Sequence, residues 1–256
     1  MSVSIQQEKV YLTTDMYIIE SNPILIIAAV IPAIVLLVKI YKEDKLEKEP
    51  VSLILSLVFL GVISTAIAMV LEEVGSYLLG SVLTENTLPY NIIFYYCVVG
   101  VAEEGAKYIL LKKRTWHSKE FNCRFDGIVY AVCVSLGFAL WENIGYVTMY
   151  GFSTAMVRAV TAVPGHCCFG IFMGVWYGVA KYFDNADKPE ISKKFRRKSL
   201  TLPIIIHGTY DFLTTLDLLW FLFIPFVLVM FFTAYRIVKR TGQHDVVITG
   251  DNDIDN

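Results

Sequence analysis

Charge is what this sequence has least of. Asp, Glu, Lys and Arg make up 18% of its 256 residues, where an average globular chain carries about 25%. The net charge is −2 and the pI is near 6.1, which argues against a basic nucleic-acid-binding protein. Cysteine is sparse and odd in number: Cys97, Cys123, Cys133, Cys167 and Cys168. All but Cys123 sit inside apolar runs, where a thiol behaves as a small hydrophobe, and the chain has no CxxC and no Cys/His cluster. Neither a disulfide framework nor a thiolate zinc site is therefore expected. The chain also lacks HExxH, the helical zinc-protease signature, and any internal repeat of the kind that builds inverted-repeat transporters. Its first twenty residues hold Asp15 and Glu20 with Lys9 as their one cation. That is unlike the cationic start of a secretory signal, so the apolar run that follows is expected to remain as a membrane span.

What is abundant is hydrophobicity. Apolar residues make up 55% of the chain, the mean hydropathy is +0.55, and the apolar residues gather into long runs. A hydrocarbon core about 30 Å thick needs about 20 residues of helix to cross it. Seven runs approach that length, at residues 21–40, 51–71, 91–111, 125–149, 158–180, 200–214 and 218–238. The expected fold is thus all-α, a polytopic membrane bundle of about seven transmembrane helices. Residues 1–241 would form a single integral-membrane domain, and 242–256 a short tail that reads as a frayed, solvated terminus. Residues 72–89 read as an external loop lying at the interface.

Orientation follows from Lys and Arg, which collect in cytoplasmic loops. Eighteen of the 22 lie in the connections around Lys42 to Lys48, Lys112 to Arg124 and Lys181 to Lys198, and in the stretch from Arg236 onward. The alternate connections, 72–90, 150–157 and 215–217, hold none. Seven spans with the N-terminus outside and the C-terminus inside satisfy this pattern at every loop.

Ionisable groups within spans are costly and mark function by default. The third run carries Glu103, Glu104 and Lys107, and Lys107 can reach either carboxylate at i+4 or i+3. Two carboxylates beside one ammonium leave a negative charge uncompensated, which favours proton uptake by one of them and suits a general base. The same trio could instead be a buried ion pair that only fixes packing. The fourth run holds Asp126, which reads as a helix-start carboxylate, then Tyr130, Phe138, Glu142, Asn143 and Tyr146. The fifth places His166, Gly170, Gly174 and Gly178 four residues apart, a small-residue seam with a histidine at its head. Arg158, at the outer edge, is expected to snorkel or bind a carboxylate. The sixth contains His207 and Asp211, an i, i+4 pair in which the carboxylate can orient the imidazole or the two can share a metal. At about 1.5 Å per residue, Glu103, His166 and Glu142 lie about 18, 12 and 10 Å below their outer boundaries, within reach of one cavity.

The motifs Glu103-Glu104-x-x-Lys107, Phe138-x-x-x-Glu142-Asn143, His166 and His207-x-x-x-Asp211, in that order on successive spans, resemble the PrsW family of intramembrane proteases. That family is a branch of the superfamily that includes CAAX prenyl endopeptidases and bacteriocin self-immunity proteins. The resemblance extends from about Lys42 to Arg240, including Glu49-Pro50 and Asp126-Gly127-x-x-Tyr130. It implies a multi-pass protein of the bacterial plasma membrane that cleaves single-pass, membrane-anchored substrates such as an anti-sigma factor at the extracytoplasmic side. Glu103 and Glu104 match the paired catalytic glutamates, and His207 with Asp211 matches the last motif. Glu142 stands where the CAAX branch has a histidine, which speaks against prenyl-protein processing.

On this reading Glu103, Glu104, Glu142, His166, His207 and Asp211 are catalytic, with Lys107, Phe138, Asn143 and Tyr146 supporting them. One glutamate activates water, and His207 stabilises the oxyanion or protonates the leaving amine. A metal version is open, with zinc held by His166, His207, Glu142 and Glu103; the missing HExxH inclines the reading to a metal-free mechanism. A proton-coupled transporter or channel using the same residues as a relay is the alternative from another class, and a catalytically silent membrane partner is a third.

Overall fold

Backbone amides have no water to bond in hydrocarbon, so apolar runs of this length form helices, which satisfy every amide within the segment. The computed structural model describes residues 23–216 and 220–248. Its elements in order are α1 (Pro23–Glu43), α2 (Val51–Gly80), α3 (Leu88–Ile93), a π-helical turn (Phe94–Val99), α4 (Gly100–Thr115), α5 (Asp126–Tyr150), α6 (Phe152–Val160), α7 (Ala162–Asn185), α8 (Pro189–Thr214) and α9 (Trp220–Gln243). Among the described residues the only β-pairing outside these helices is an isolated bridge between Cys123 and Val247. The all-α membrane architecture expected from composition is therefore present. Among the described residues, five helical stretches are long and apolar enough to cross a membrane: α1, α2, α5, α6 with α7, and most of α9. The third and sixth runs, which carry the charged motifs, form the α3–π–α4 stretch and α8.

Several boundaries differ from expectation. α2 does not end at Leu71 but runs to Gly80, so Glu72 and Glu73 lie on a helix and not in a loop. No Gly or Pro interrupts the backbone between these charges and the preceding apolar run, and charge alone does not break a helix. The fifth run is divided at Thr161, which places Arg158 on the short helix α6. The basic segment Lys193–Lys198 is already helical, forming the lower turns of α8. The tail is docked as far as Ile248, which is buried. Asp245 Oδ1 accepts from the amide of Phe125 at 2.9 Å, and the Arg124 amide donates to the Val246 carbonyl at 3.0 Å. This C-terminal strap lies against the loop that leads into α5. The acidic end of the tail, like the start of the first run and Leu218, falls outside the described residues.

α5 is the centre of the bundle. Every residue from Asp126 to Ala139 is buried, with α2 crossing one side and α7 the other. The crossings are close because glycine faces backbone. A Cβ on Gly127 would lie 2.6 Å from the Gly178 amide nitrogen, and one on Gly174 would strike Gly127 and Ile128. The seam expected on α7 is thus a true helix contact, and it sets His166, at its head, toward the interior. The farther half of α5 opens, with Trp141, Tyr146, Met149 and Tyr150 exposed.

Candidate active site

α4 supplies the centre of the site. Glu103, Glu104 and Lys107 are buried on one face of that helix, a turn beyond the π-helical stretch, a distortion frequently found beside functional residues. The Lys107 ammonium donates to Glu103 Oε2 at 3.0 Å and to Glu104 Oε1 at 2.8 Å, as the i+3 and i+4 spacing requires. It also approaches His166 Nδ1 at 3.3 Å and sits 3.8 Å from the centre of the Phe138 ring. Glu104 is fully enclosed, while Glu103 retains 8% exposure of its side chain.

α8 brings His207 against this pair. Its Nδ1 lies 3.0 Å from Glu104 Oε1, and its Nε2 lies 3.2 Å from Asp211 Oδ2. Both ring nitrogens therefore face carboxylates, and only a doubly protonated ring can donate to both. The charge account differs from that read off α4 alone, because an imidazole joins the ammonium in balancing the two glutamates. Glu104 Oε1 is shared by Lys107 and His207, and Glu104 Oε2 is buried without a partner among the described residues. Phe169 stacks on His207, with ring centres 4.5 Å apart. Phe169 escaped notice in the sequence, although it lies three residues after His166 on the face that leads into the site.

α5, α6 and α7 supply the other wall. His166 Nε2 lies 2.9 Å from Glu142 Oε2, and the same oxygen accepts from Arg158 at 2.8 Å. Since Nδ1 faces an ammonium, which can only donate, the network assigns His166 the tautomer that accepts at Nδ1 and donates from Nε2. Arg158 Nε also donates to the Asn143 side chain at 2.9 Å, and Asn143 passes a bond to the Ala29 carbonyl at 2.9 Å. The Arg158 guanidinium lies 3.9 Å from the centre of the Tyr146 ring. Arg158 thus binds a carboxylate, as expected of it. The structure brings together every site residue taken from the sequence. It adds Glu72, close enough to feel the charges of Glu103, Glu142, His207 and Lys107.

Glu103, Glu104 and His166 each offer a donor atom, all within 4.8 Å of one another. The set suits a borderline cation such as zinc, which takes carboxylate oxygen and imidazole nitrogen. His166 meets a further requirement, because its other nitrogen is held by a carboxylate, the usual support of a metal-binding imidazole. Lys107 stands among these donors as a fixed cation, bonded to all three. Glu142 and His207 stand one hydrogen bond farther back.

A buried acid–base centre of glutamates, histidines and one lysine lies inside a bundle of membrane-length helices, an arrangement suited to membrane-embedded hydrolysis or to a proton relay. Residues 49–236 match the model of a family described as PrsW family intramembrane metalloprotease. Protease PrsW of Bacillus subtilis (strain 168) is 33% identical over 217 residues, 84% of this chain and 94% of that protein. Protease PrsW of Halalkalibacterium halodurans is 31% identical over 226 residues, 86% of this chain and 98% of that protein. The corresponding protein of Clostridioides difficile (strain 630) is 28% identical over 213 residues, 80% and 85% of the two chains. No solved structure matches the chain. The chain belongs to the PrsW family of intramembrane proteases, which decides for a protease over a proton relay or a silent partner.

Proposed function

We propose that this protein is an endopeptidase that cuts membrane-anchored proteins within or beside the bilayer, with Glu103 as the base that activates water. The observation carrying this reading is the shared network in which Lys107 joins Glu103, Glu104 and His166 while His207 bridges Glu104 to Asp211. Of the two glutamates only Glu103 keeps access from outside, so it takes the proton from water as the oxygen attacks the peptide carbonyl. Glu104, enclosed and bonded to both Lys107 and His207, fixes those two groups. Lys107 and His207 supply donors for the oxyanion, and a proton from His207 goes to the leaving amine. Glu142, held by Arg158, sets the His166 ring.

If a metal is bound, Glu103, Glu104 and His166 hold it, and it supplies a water of lowered pKa.

The bundle is a single membrane domain of seven spans, N-terminus outside and C-terminus inside, supported by the clustering of Lys and Arg at one end. The site then opens toward the outer half, where Tyr146 and Trp141 are exposed, and a single-pass protein of the anti-sigma factor type fits as substrate. The test is cleavage of a membrane-anchored substrate by Glu103→Ala, Glu104→Ala, Glu142→Ala and His207→Ala variants, with and without chelator. Loss in the variants is expected; full activity in all four would end the assignment, and sensitivity to chelator separates the two forms of the mechanism.

A further inference from the structure

A slot of about 280 Å³ lies between α1, α7 and α9, and none of the residues placed in the active site lines it. Its walls run from Leu36 to Glu43 on α1 and from Phe231 to Lys239 on α9, with α7 behind, about two turns of each outer helix. Ile40, Cys168, Ile171, Ala234 and Val238 form the floor, each no more than 6% exposed. The charged lining residues are Lys39, Glu43 and Lys239, all in the last turns of α1 and α9. The slot is thus apolar in its depth and charged at its mouth.

Each half of this arrangement calls for a different part of one ligand. An apolar slot offers water no polar partners and does not hold it. The helices on either side face hydrocarbon, with Val35 and Val38 of α1 and Leu228 and Phe232 of α9 exposed, so lipid chains have direct access to the floor.

At the mouth, Glu43 Oε1 accepts from Lys239 at 2.6 Å, which leaves two of the three ammonium hydrogens of Lys239 unused. Lys39 is exposed and has no hydrogen bond or ion pair among the described residues. It stands close enough to the slot wall to act electrostatically on Cys167. One ammonium beyond the Lys239 pair with Glu43 leaves a net positive charge whose donors face no acceptor. Lysines in the last turns of a span place their ammonium groups at the level of the lipid phosphates, and basic pockets between membrane helices suit anionic head groups. An acyl chain with a phosphate at its end matches both the floor and the mouth.

We propose that this slot holds an anionic phospholipid, with one acyl chain between α1 and α9 against α7 and its phosphate on Lys39 and Lys239. The lipid ties the two outer helices together across the stretch of α7 that flanks His166, and its binding depends on no step of the proposed reaction.

The test uses the full chain purified in detergent, delipidated, and titrated with phosphatidylglycerol or with phosphatidylcholine of the same acyl chains, bound lipid being counted by native mass spectrometry. The expected result is one phosphatidylglycerol per chain, held at least about tenfold more tightly than phosphatidylcholine. That preference should shrink in Lys39→Ala, which breaks no bond of the protein, and vanish when Lys239→Ala is added. Ala234→Trp, which fills the slot and keeps the charges, should lose both lipids. Phosphatidylglycerol should also raise the Tm of wild type and of Glu104→Gln more than that of Lys39→Ala, a readout that stands if Ala234→Trp fails to fold. Inorganic phosphate at millimolar concentration should not displace the lipid; displacement would leave a phosphate site with no use for the chain and overturn the proposal. Equal affinity of wild type for the two lipids, or a preference unchanged in both lysine variants, would overturn it as well. So would a dimer of the delipidated protein that Ala234→Trp abolishes, because the slot would then belong to a second copy.

Discussion

The molecule buries two groups of carboxylates and treats them in opposite ways. In the active site each acid has a positive or donating neighbour: Lys107 for Glu103 and Glu104, His207 for Glu104 and Asp211, Arg158 and His166 for Glu142. At the basic end Asp44, Glu49, Asp126 and Asp245 each keep a buried carboxylate oxygen with no hydrogen-bond partner among the described residues. Burial costs both groups their hydration, but only the first recovers it from side chains. Removing a partner from the first group should therefore do harm, whereas removing a charge from the second should relieve the fold.

The comparison breaks most sharply at Glu103, the proposed base. Glu103→Gln keeps the shape and removes the proton acceptor, and cleavage of a membrane-anchored substrate should fall by about 10² to 10⁴. Lys107→Met strands two buried carboxylates. Breaking a buried pair in this way costs about 3–5 kcal/mol, which thermal unfolding in detergent should report as a large drop in Tm. Arg158→Ala leaves the centre intact but frees Glu142 and with it His166. Loss of such supporting contacts typically costs about 10 to 100-fold in activity, and Arg158→Lys should recover part of it. A rate equal to wild type for Arg158→Ala would show that Glu142 needs no external anchor.

The smallest effect has the opposite sign and comes from the second group. The folded-state values of Glu49 and Asp44 lie near 7 and 6, above the ordinary 4.5 and 3.8. The stability they contribute is thus fully present below about pH 4 and is lost as pH rises through 6 to 7. Lys48 opposes this trend at Asp44, and Tyr130 and Asp126 oppose it at Glu49, while Asp245 and Glu47 reinforce it at Asp44 and Asp44 and Glu120 reinforce it at Glu49. In chelator, the Tm of the wild type should fall across that window, and Glu49→Gln should flatten the fall. A Tm that rises from pH 5 to 7 with no divalent ion present would reverse the reading.

The candidate site was legible because its ionisable residues break the apolar pattern of a run, and helical spacing alone joined Lys107 to both glutamates and His207 to Asp211. The glycine ladder on α7 likewise announced a close contact. Other contacts cross between helices and have no local signature: His207 on Glu104, Phe169 on His207, Arg158 on both Glu142 and Asn143. The external loop expected at 72–89 is helical as far as Gly80, because α2 simply continues through Glu72. The acidic group at the basic end was hidden for a related reason. Asp126 reads as a carboxylate at a helix start, and it does stand in the first turn of α5. Its oxygen, however, accepts amides of the preceding loop, and its neighbours come from segments up to about 200 residues apart, which no local pattern reveals.

The enclosure of α5 reaches beyond packing. α1, apolar along its length and buried only at Ala29, Ala33 and Ile40, answers to lipid; α5, buried throughout from Asp126 to Ala139, answers to its neighbours. A change in bilayer thickness or composition acts directly on the outer helices, through tilt and mismatch. It reaches the buried half of α5, Asp126 to Ala139, only after passing through a shell of protein, so that half acts as an insulated mount for the more open half that carries Glu142.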